Sequence, residues 1–237
     1  MTAAPGRIGV VVPAHNEEDT LGACVAALDR AAGRIDAPVH VVVALDDCAD
    51  SSAEVLGAFR PRTLAQLSGV VLAARSVGAA RAQGARVALR AGARGLWLAS
   101  TDADSIVSPN WLVGQLSHVA RGAQVVVGTV CITDWTLYPP GMQRAFERRY
   151  RFQEGHRHTH GANLGMWAES YLSVGGFRER PTDEDVDLVG RLSTGGATVV
   201  WAADAPVVTS GRRVGRAPNG FSAYLGHLAD SLEVGVG

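Results

Sequence analysis

Short apolar runs alternate with amphipathic stretches through the first hundred residues. Residues 8–13 form a continuous apolar run ended by a proline, the pattern of a strand buried on both faces. Residues 17–32 carry Leu21, Val25 and Leu28 at helical spacing, with Asp and Glu in the expected first turn. Residues 39–45 predict a second buried strand, and residues 51–59 a short helix with Asp50 or Ser51 as N-cap. A third strand is expected at 69–73, an alanine-rich helix at 77–91 and a fourth strand at 95–100. This β-α-β-α-β-α-β order predicts an α/β fold with a mainly parallel central sheet, right-handed crossovers and helices on both faces.

The second half opens on Ser108-Pro109, a cap and first-turn proline for a helix through Ala120. A strand over 124–133 follows, then a turn at Tyr138-Pro139-Pro140-Gly141 and an amphipathic, arginine-bearing helix over 142–154. The stretch 160–165 is punctuated by glycine. Short helices are expected at 168–173 and 184–193, strands at 198–202 and 207–209, and a last helix at 220–232. With no internal repeat and no low-complexity linker, residues 1–237 are expected to form one domain. Its two halves, 7–104 and 105–237, meet near residue 104.

In the first half the polar positions gather where the strands end. His15-Asn16-Glu17, Asp46-Asp47, Arg75 and the pair Asp102 and Asp104 each follow an apolar run. Open parallel sheets bind ligands at the carboxyl ends of their strands, so four such clusters on one edge predict a site.

Composition narrows the chemistry. The chain has 22 basic residues, and every one is arginine. That excludes a phosphate-loop lysine, a Schiff-base lysine and a lysine base. A net charge of −1 gives no global attraction to nucleic acid, so anions must be held by a local cluster. Cys24, Cys48 and Cys131 are widely spaced and make no C-x-x-C pair, which suits a reducing cytoplasm better than a disulfide framework. No apolar run reaches the length of a membrane span and the amino terminus carries no signal-peptide pattern, so a soluble, cytoplasmic protein is expected.

Asp102-Ala103-Asp104 is the strongest single element. Two carboxylates at i and i+2 beyond a buried strand can reach a hard divalent cation, Mg²⁺ or Mn²⁺, and the phosphate oxygens it bridges. Alone, the same tripeptide also fits a solvated turn. The runs VVPAHNEEDTL, ALDDCADSS, SVGAARAQGARVAL and STDADSIVSPNWL carry more information, as do GANLGMWAESYLSVGGF and PTDEDVDLVGRL. In this order, over residues 7–210, they resemble family 2 glycosyltransferases of the GT-A fold.

The resemblance implies roles by position, with 7–104 as the nucleotide-binding half and 105–237 as the acceptor-side half. Pro13, Ala14 and Glu17 match the loop that lies against the base and ribose of a nucleotide-sugar donor. Asp47 matches the acid that recognises the base, with Asp46 as the next candidate. This chain has Asp46-Asp47-Cys48-Ala49-Asp50 where the family has a glycine-containing D-D-G-S-T-D, which leaves uridine, guanosine and thymidine open. Arg81 matches a helix arginine facing the nucleotide. Asp102 matches the ribose and diphosphate side, Ala103 lies between the two acids, and Asp104 matches the metal ligand. Asp185 matches the base of an inverting transfer to an acceptor hydroxyl, small or lipid-linked. Asn163, Trp167 and Glu184 are the candidate sugar and acceptor pocket, although Trp167 also reads as plain core and Asp183, Glu184 and Asp187 as acids at a helix N-terminus.

Two further motifs have competing readings. His156, His158 and His160 alternate, but they follow a helix without an acidic partner and read as a loop near the acceptor opening. The family's late metal-binding histidine is absent here, the nearest being His227. Arg212, Arg213 and Arg216 in a glycine-rich loop are candidates to clamp a diphosphate, or form a solvated surface loop. The competing functions are a nucleotidyltransferase-like enzyme and a non-catalytic nucleotide-sugar-binding protein. Against the first, residues 13–17 lack the glycine-rich basic loop such enzymes carry.

Overall fold

A computed structural model describes residues 4–180, 182–213, 215 and 220–233. Seven strands form one sheet: β1 (Arg7–Ala14), β2 (Val39–Asp46), β3 (Gln66–Leu72), β4 (Leu96–Ser100), β5 (Val125–Cys131), β6 (Leu164–Trp167) and β7 (Val199–Val208). Their order is β3-β2-β1-β4-β6-β5-β7. Only β6 runs antiparallel, between β4 and β5. The sheet is continuous across both halves of the chain.

The helices are α1 (Leu21–Ala32), α2 (Ser52–Ala58), α3 (Val77–Ala88), α4 (Trp111–Ala120), α5 (Met142–Arg149), α6 (Ala168–Ser173), α7 (Glu184–Thr194) and α8 (Phe221–Glu233). Strand periodicity distributes the apolar residues over two faces. Val10, Val12, Val41 and Val43 pack in one core with Leu21, Leu28, Trp111 and Leu112 of α1 and α4. Val11 and Val42 point the other way, to Ala85, Leu188 and Leu192 of α3 and α7. Each valine removed from water this completely contributes on the order of 1.5–3 kcal/mol before entropy is counted. Helix α3 lies close to the sheet because residue 84 is glycine: a Cβ there would stand 2.5 Å from Val11 Cγ1. A third cluster, built on Val130, Phe146, Tyr150, Leu225 and Leu228, joins α5 and α8 beside the end of β5.

Several expected boundaries move. α1 begins at Leu21, and residues 17–20 form a loop, so its first turn holds no acid. The Asp50 carboxylate, not Ser51, accepts the Ser52 amide at the start of α2, at 3.0 Å. α4 starts at Trp111, three residues after Ser108, and α5 ends at Arg149. The strands expected at 198–202 and 207–209 are one strand, β7 (Val199–Val208), whose pairing with β5 shifts register between Gly128 and Val130.

Candidate active site

The carboxyl ends of β1–β4 and the amino terminus of α7 surround one cavity of about 920 Å³. Three non-glycine residues with left-handed φ mark the turns that leave the first three strands: Asn16 (54°), Asp47 (51°) and Arg75 (50°). A fourth, Asp183 (60°), precedes α7. Each such residue costs about 1–2 kcal/mol, and this strain gathers around the cavity.

Arg81 on α3 is the hub. Its guanidinium is buried and donates through Nη2 to Asp102 Oδ1 at 2.7 Å and through Nε to Glu184 Oε1 at 2.8 Å. Nη1 donates to Ser100 Oγ at 2.7 Å and to the Gly161 carbonyl at 3.3 Å. Glycine at 161 leaves room for this guanidinium, since a Cβ there would stand 2.2 Å from Arg81 Nη2. Burial opposes the Arg81 charge, but Asp102, Glu184 and Asp185 outweigh it and hold the guanidinium pKa above its ordinary value.

Asp104 and Glu17 share a second arginine. Arg212 donates through Nη2 to Glu17 Oε1 at 2.8 Å and through Nη1 to Glu17 Oε2 at 3.3 Å, and Nη2 also contacts Asp104 Oδ2. Burial, then the Asp102 charge, raise the Asp104 carboxyl to about 6, while Arg212 pulls it down. The nearby Cys24 thiol is raised by burial and then by Asp102, Asp104 and Glu17, so the three carboxylates act on one volume.

Asp185 lies in the first turn of α7. Its Oδ2 accepts the Gly161 amide at 2.5 Å and its Oδ1 the Val186 amide at 2.8 Å. Burial and the Glu184 charge raise its carboxyl to about 6 against the pull of Arg81. Aromatic residues also line the cavity: Tyr150 stacks on His158 with centroids 4.0 Å apart, and its hydroxyl, accepting the Val130 amide at 3.0 Å, lies 2.8 Å from His160 Nε2. Burial and the other two histidines lower His160 to about 3, keeping it neutral.

The sequence matches the model of glycosyl transferase family 2 over residues 9–174. This chain belongs to that family. No curated protein matches it. Among solved structures it is similar to the mannosyltransferase PcManGT from Pyrobaculum calidifontis in complex with GDP-Man and Mn²⁺. That likeness has a TM-score of 0.65 and 18% identity, over 91% of this chain and 59% of that one. It is also similar to S. aureus TarS 1-349 in complex with UDP-GlcNAc, with a TM-score of 0.64 and 14% identity, over 91% and 61% of the two chains. GalNAc-T7 with UDP, GalNAc and Mn²⁺ gives a TM-score of 0.61 and 15% identity, over 86% and 43%. These likenesses establish the GT-A fold of the family, and the chain spans less than two thirds of each of these proteins.

Within this family member, Pro13, Ala14, Glu17, Asp46, Asp47, Arg81, Asp102, Ala103, Asp104, Glu184, Asp185 and Arg212 all line the cavity. Several are committed to internal partners. Asp46 accepts the backbone amides of Ala74, Arg75 and Ser76 at 2.7–3.0 Å, so it anchors the β3–α3 loop in place of offering a free carboxylate to a base. Asp47 pairs with Arg75. Glu184 is taken up by Arg81.

Asn163 and Trp167, expected in the sugar and acceptor pocket, do not line the cavity. The Asn163 amide accepts from Trp111 Nε1 at 2.9 Å and donates to the Thr129 and Ala205 carbonyls at 2.8 and 2.9 Å. It stitches α4, β5 and β7 together. Trp167 sits opposite Trp97 on β4, at the other end of the strand from Ser100, and packs edge-on against it at 5.7 Å. Arg213, a candidate for the diphosphate clamp, lies over the Tyr138 ring at 5.8 Å, outside the cavity lining. Arg216 falls outside the described residues. His227 is exposed on α8 and away from the cavity. Asp187 pairs with Arg191 at 2.7 Å, as a structural acid of α7.

Nothing local marks Tyr150 as a site residue, and Ser100 stands inside the STDADS run without a role of its own. Arg75 was visible as a polar residue after a strand, though its pairing with Asp47 was not.

Proposed function

We propose that this chain is an inverting glycosyltransferase that moves a sugar from a nucleoside-diphosphate sugar, UDP- or GDP-linked, to an acceptor hydroxyl. One observation carries the reading: Asp104 and Asp185, from opposite halves of the chain, line a single cavity at the carboxyl edge of a family 2 sheet. The nucleotide-sugar and Mn²⁺ ligands of the similar structures support the donor class and a divalent cation.

The residues present fit Mg²⁺ or Mn²⁺ at Asp104. Asp102, Asp104 and Glu17 are hard oxygen donors, and the field they jointly exert on Cys24 is one a cation relieves. Among the described residues no group of three or more His, Cys, Asp or Glu stands close enough to hold an ion unaided. Phosphate oxygens of the donor would complete such a site. When bound, the cation neutralises charge on the departing diphosphate.

The protein's own groups do the rest. Asp102, fixed by Arg81, faces the donor. Asp185, held by the Gly161 and Val186 amides, takes the proton from the acceptor hydroxyl as its oxygen attacks the anomeric carbon. The bond from that carbon to the phosphate oxygen breaks, and its electron pair leaves with the nucleoside diphosphate. A carboxylate of pKa about 6 is ionised at neutral pH yet more basic than a free aspartate, which suits a general base.

The test is release of UDP or GDP from the matching sugar nucleotide in the presence of acceptor alcohols. EDTA and Asp104→Asn are expected to abolish it while the far-UV spectrum stays unchanged. Full turnover of Asp104→Asn in EDTA rules out the cation at Asp104.

A further inference from the structure

We infer that Arg212 is the resident counter-cation of Asp104 and Glu17, and that it makes divalent-cation binding conditional on a nucleoside diphosphate. The inference rests on the glycosyltransferase reading and adds an exchange that the reading does not contain. Arg212 holds both Glu17 oxygens and touches Asp104 Oδ2 through the same nitrogen that holds Glu17 Oε1. The two carboxylates are largely buried, with side chains 7% and 11% exposed, whereas Arg212 keeps 28%. The acids are thus fixed and the arginine is the partner nearer solvent.

A guanidinium and a divalent cation cannot share Asp104 Oδ2 without close like-charge repulsion in a poorly screened site. A metal ion arriving alone must therefore displace Arg212, and gains in return fewer protein ligands than it needs. A diphosphate changes both terms. Its oxygens supply the missing ligands, and they give the planar donors of Arg212 a new anionic partner.

The chain permits the exchange. The Ile106 and Val208 backbones bond at 2.7 and 3.1 Å, and Ser105 Oγ donates to Thr209 Oγ1 at 3.0 Å. The segment is pinned to the Asp102–Asp104 loop up to residue 209, so Arg212 can turn about a fixed point and remain beside the site. Cation and nucleotide then bind with positive coupling, each tightening the other by the same factor.

The experiment measures free Mn²⁺ by electron paramagnetic resonance over the full chain, without nucleotide and with GDP or UDP. Wild type, Arg212→Gln, Arg212→Lys and Asp104→Asn are compared. The wild-type protein is expected to bind Mn²⁺ about tenfold or more tightly with the matching nucleotide. Arg212→Gln is expected to bind Mn²⁺ alone about tenfold more tightly than wild type, with the nucleotide dependence correspondingly reduced. Arg212→Lys keeps the charge and should keep the weak binding. If Asp104→Asn abolishes Mn²⁺ binding but Arg212→Gln leaves nucleotide-free affinity unchanged, the cation site stands and the exchange is overturned. If Asp104→Asn changes nothing, the reading of the site falls and the exchange with it.

Discussion

Replacing Asp185 by Asn should separate stability from turnover. In the folded protein its carboxyl is raised from 3.8 to about 6 by burial and by Glu184. The folded state therefore binds this proton more tightly than the unfolded chain. Stability falls as pH rises between the two values, and the full penalty is present above about pH 6. The gap corresponds to at most about 3 kcal/mol, or about 1–3 kcal/mol once partial exposure of the side chain is allowed for. Asparagine removes that penalty but loses one accepted hydrogen bond, worth about 0.5–1.5 kcal/mol. The midpoints leave a net gain of about 1 kcal/mol at pH 7.5, which raises Tm by about 2–4 °C for a chain of this size. At pH 4.5, where aspartate is already protonated, the variant should gain nothing. Turnover should fall about 10²- to 10⁴-fold, the share of a general base. Wild-type kcat should rise about tenfold per pH unit below about 6 and level off above it. Differential scanning fluorimetry at the two pH values, with a pH–rate profile, reads all of this. A flat wild-type profile from pH 5 to 8 together with an unstabilised variant at pH 7.5 refutes the assignment.

Two further substitutions probe the framework. Arg81→Met leaves Glu184 buried without its partner and should destabilise by about 3–5 kcal/mol, visible as a large fall in the urea midpoint. Arg81→Met with Glu184→Gln should recover part of that loss. Asn163→Ala strands Trp111 Nε1 and two carbonyls and should cost about 2–4 kcal/mol, while nucleotide affinity of the folded fraction, read by calorimetry, stays within about twofold.

The central strands were legible because burial on both faces writes them as unbroken apolar runs, as in Val39–Asp46. The antiparallel β6 was not: its four residues contain a glycine, and nothing local distinguishes them from a turn. The start of α1 was misplaced because Asn16 takes a left-handed φ and the Glu18 amide is held by Asp50, on a different loop. The site follows the same division. That Asp104 and Asp185 line one cavity could be expected, from the place of Asp104 after a strand and from the resemblance that singled out Asp185. That Asp46, Glu184 and Asn163 face inward partners could not, because those partners lie about 28 to 103 residues away along the chain.

Isothermal titration calorimetry of GDP, UDP, dTDP and CDP, each with and without Mn²⁺, tests the central claim most directly. The account predicts that one of these nucleotides binds wild type in a Mn²⁺-dependent way. Asp104→Asn should weaken that binding by about tenfold or more, and Asp185→Asn should keep it within about threefold. Binding of none of the four, or equal loss in both variants, contradicts a donor site at Asp104 with a separate base at Asp185.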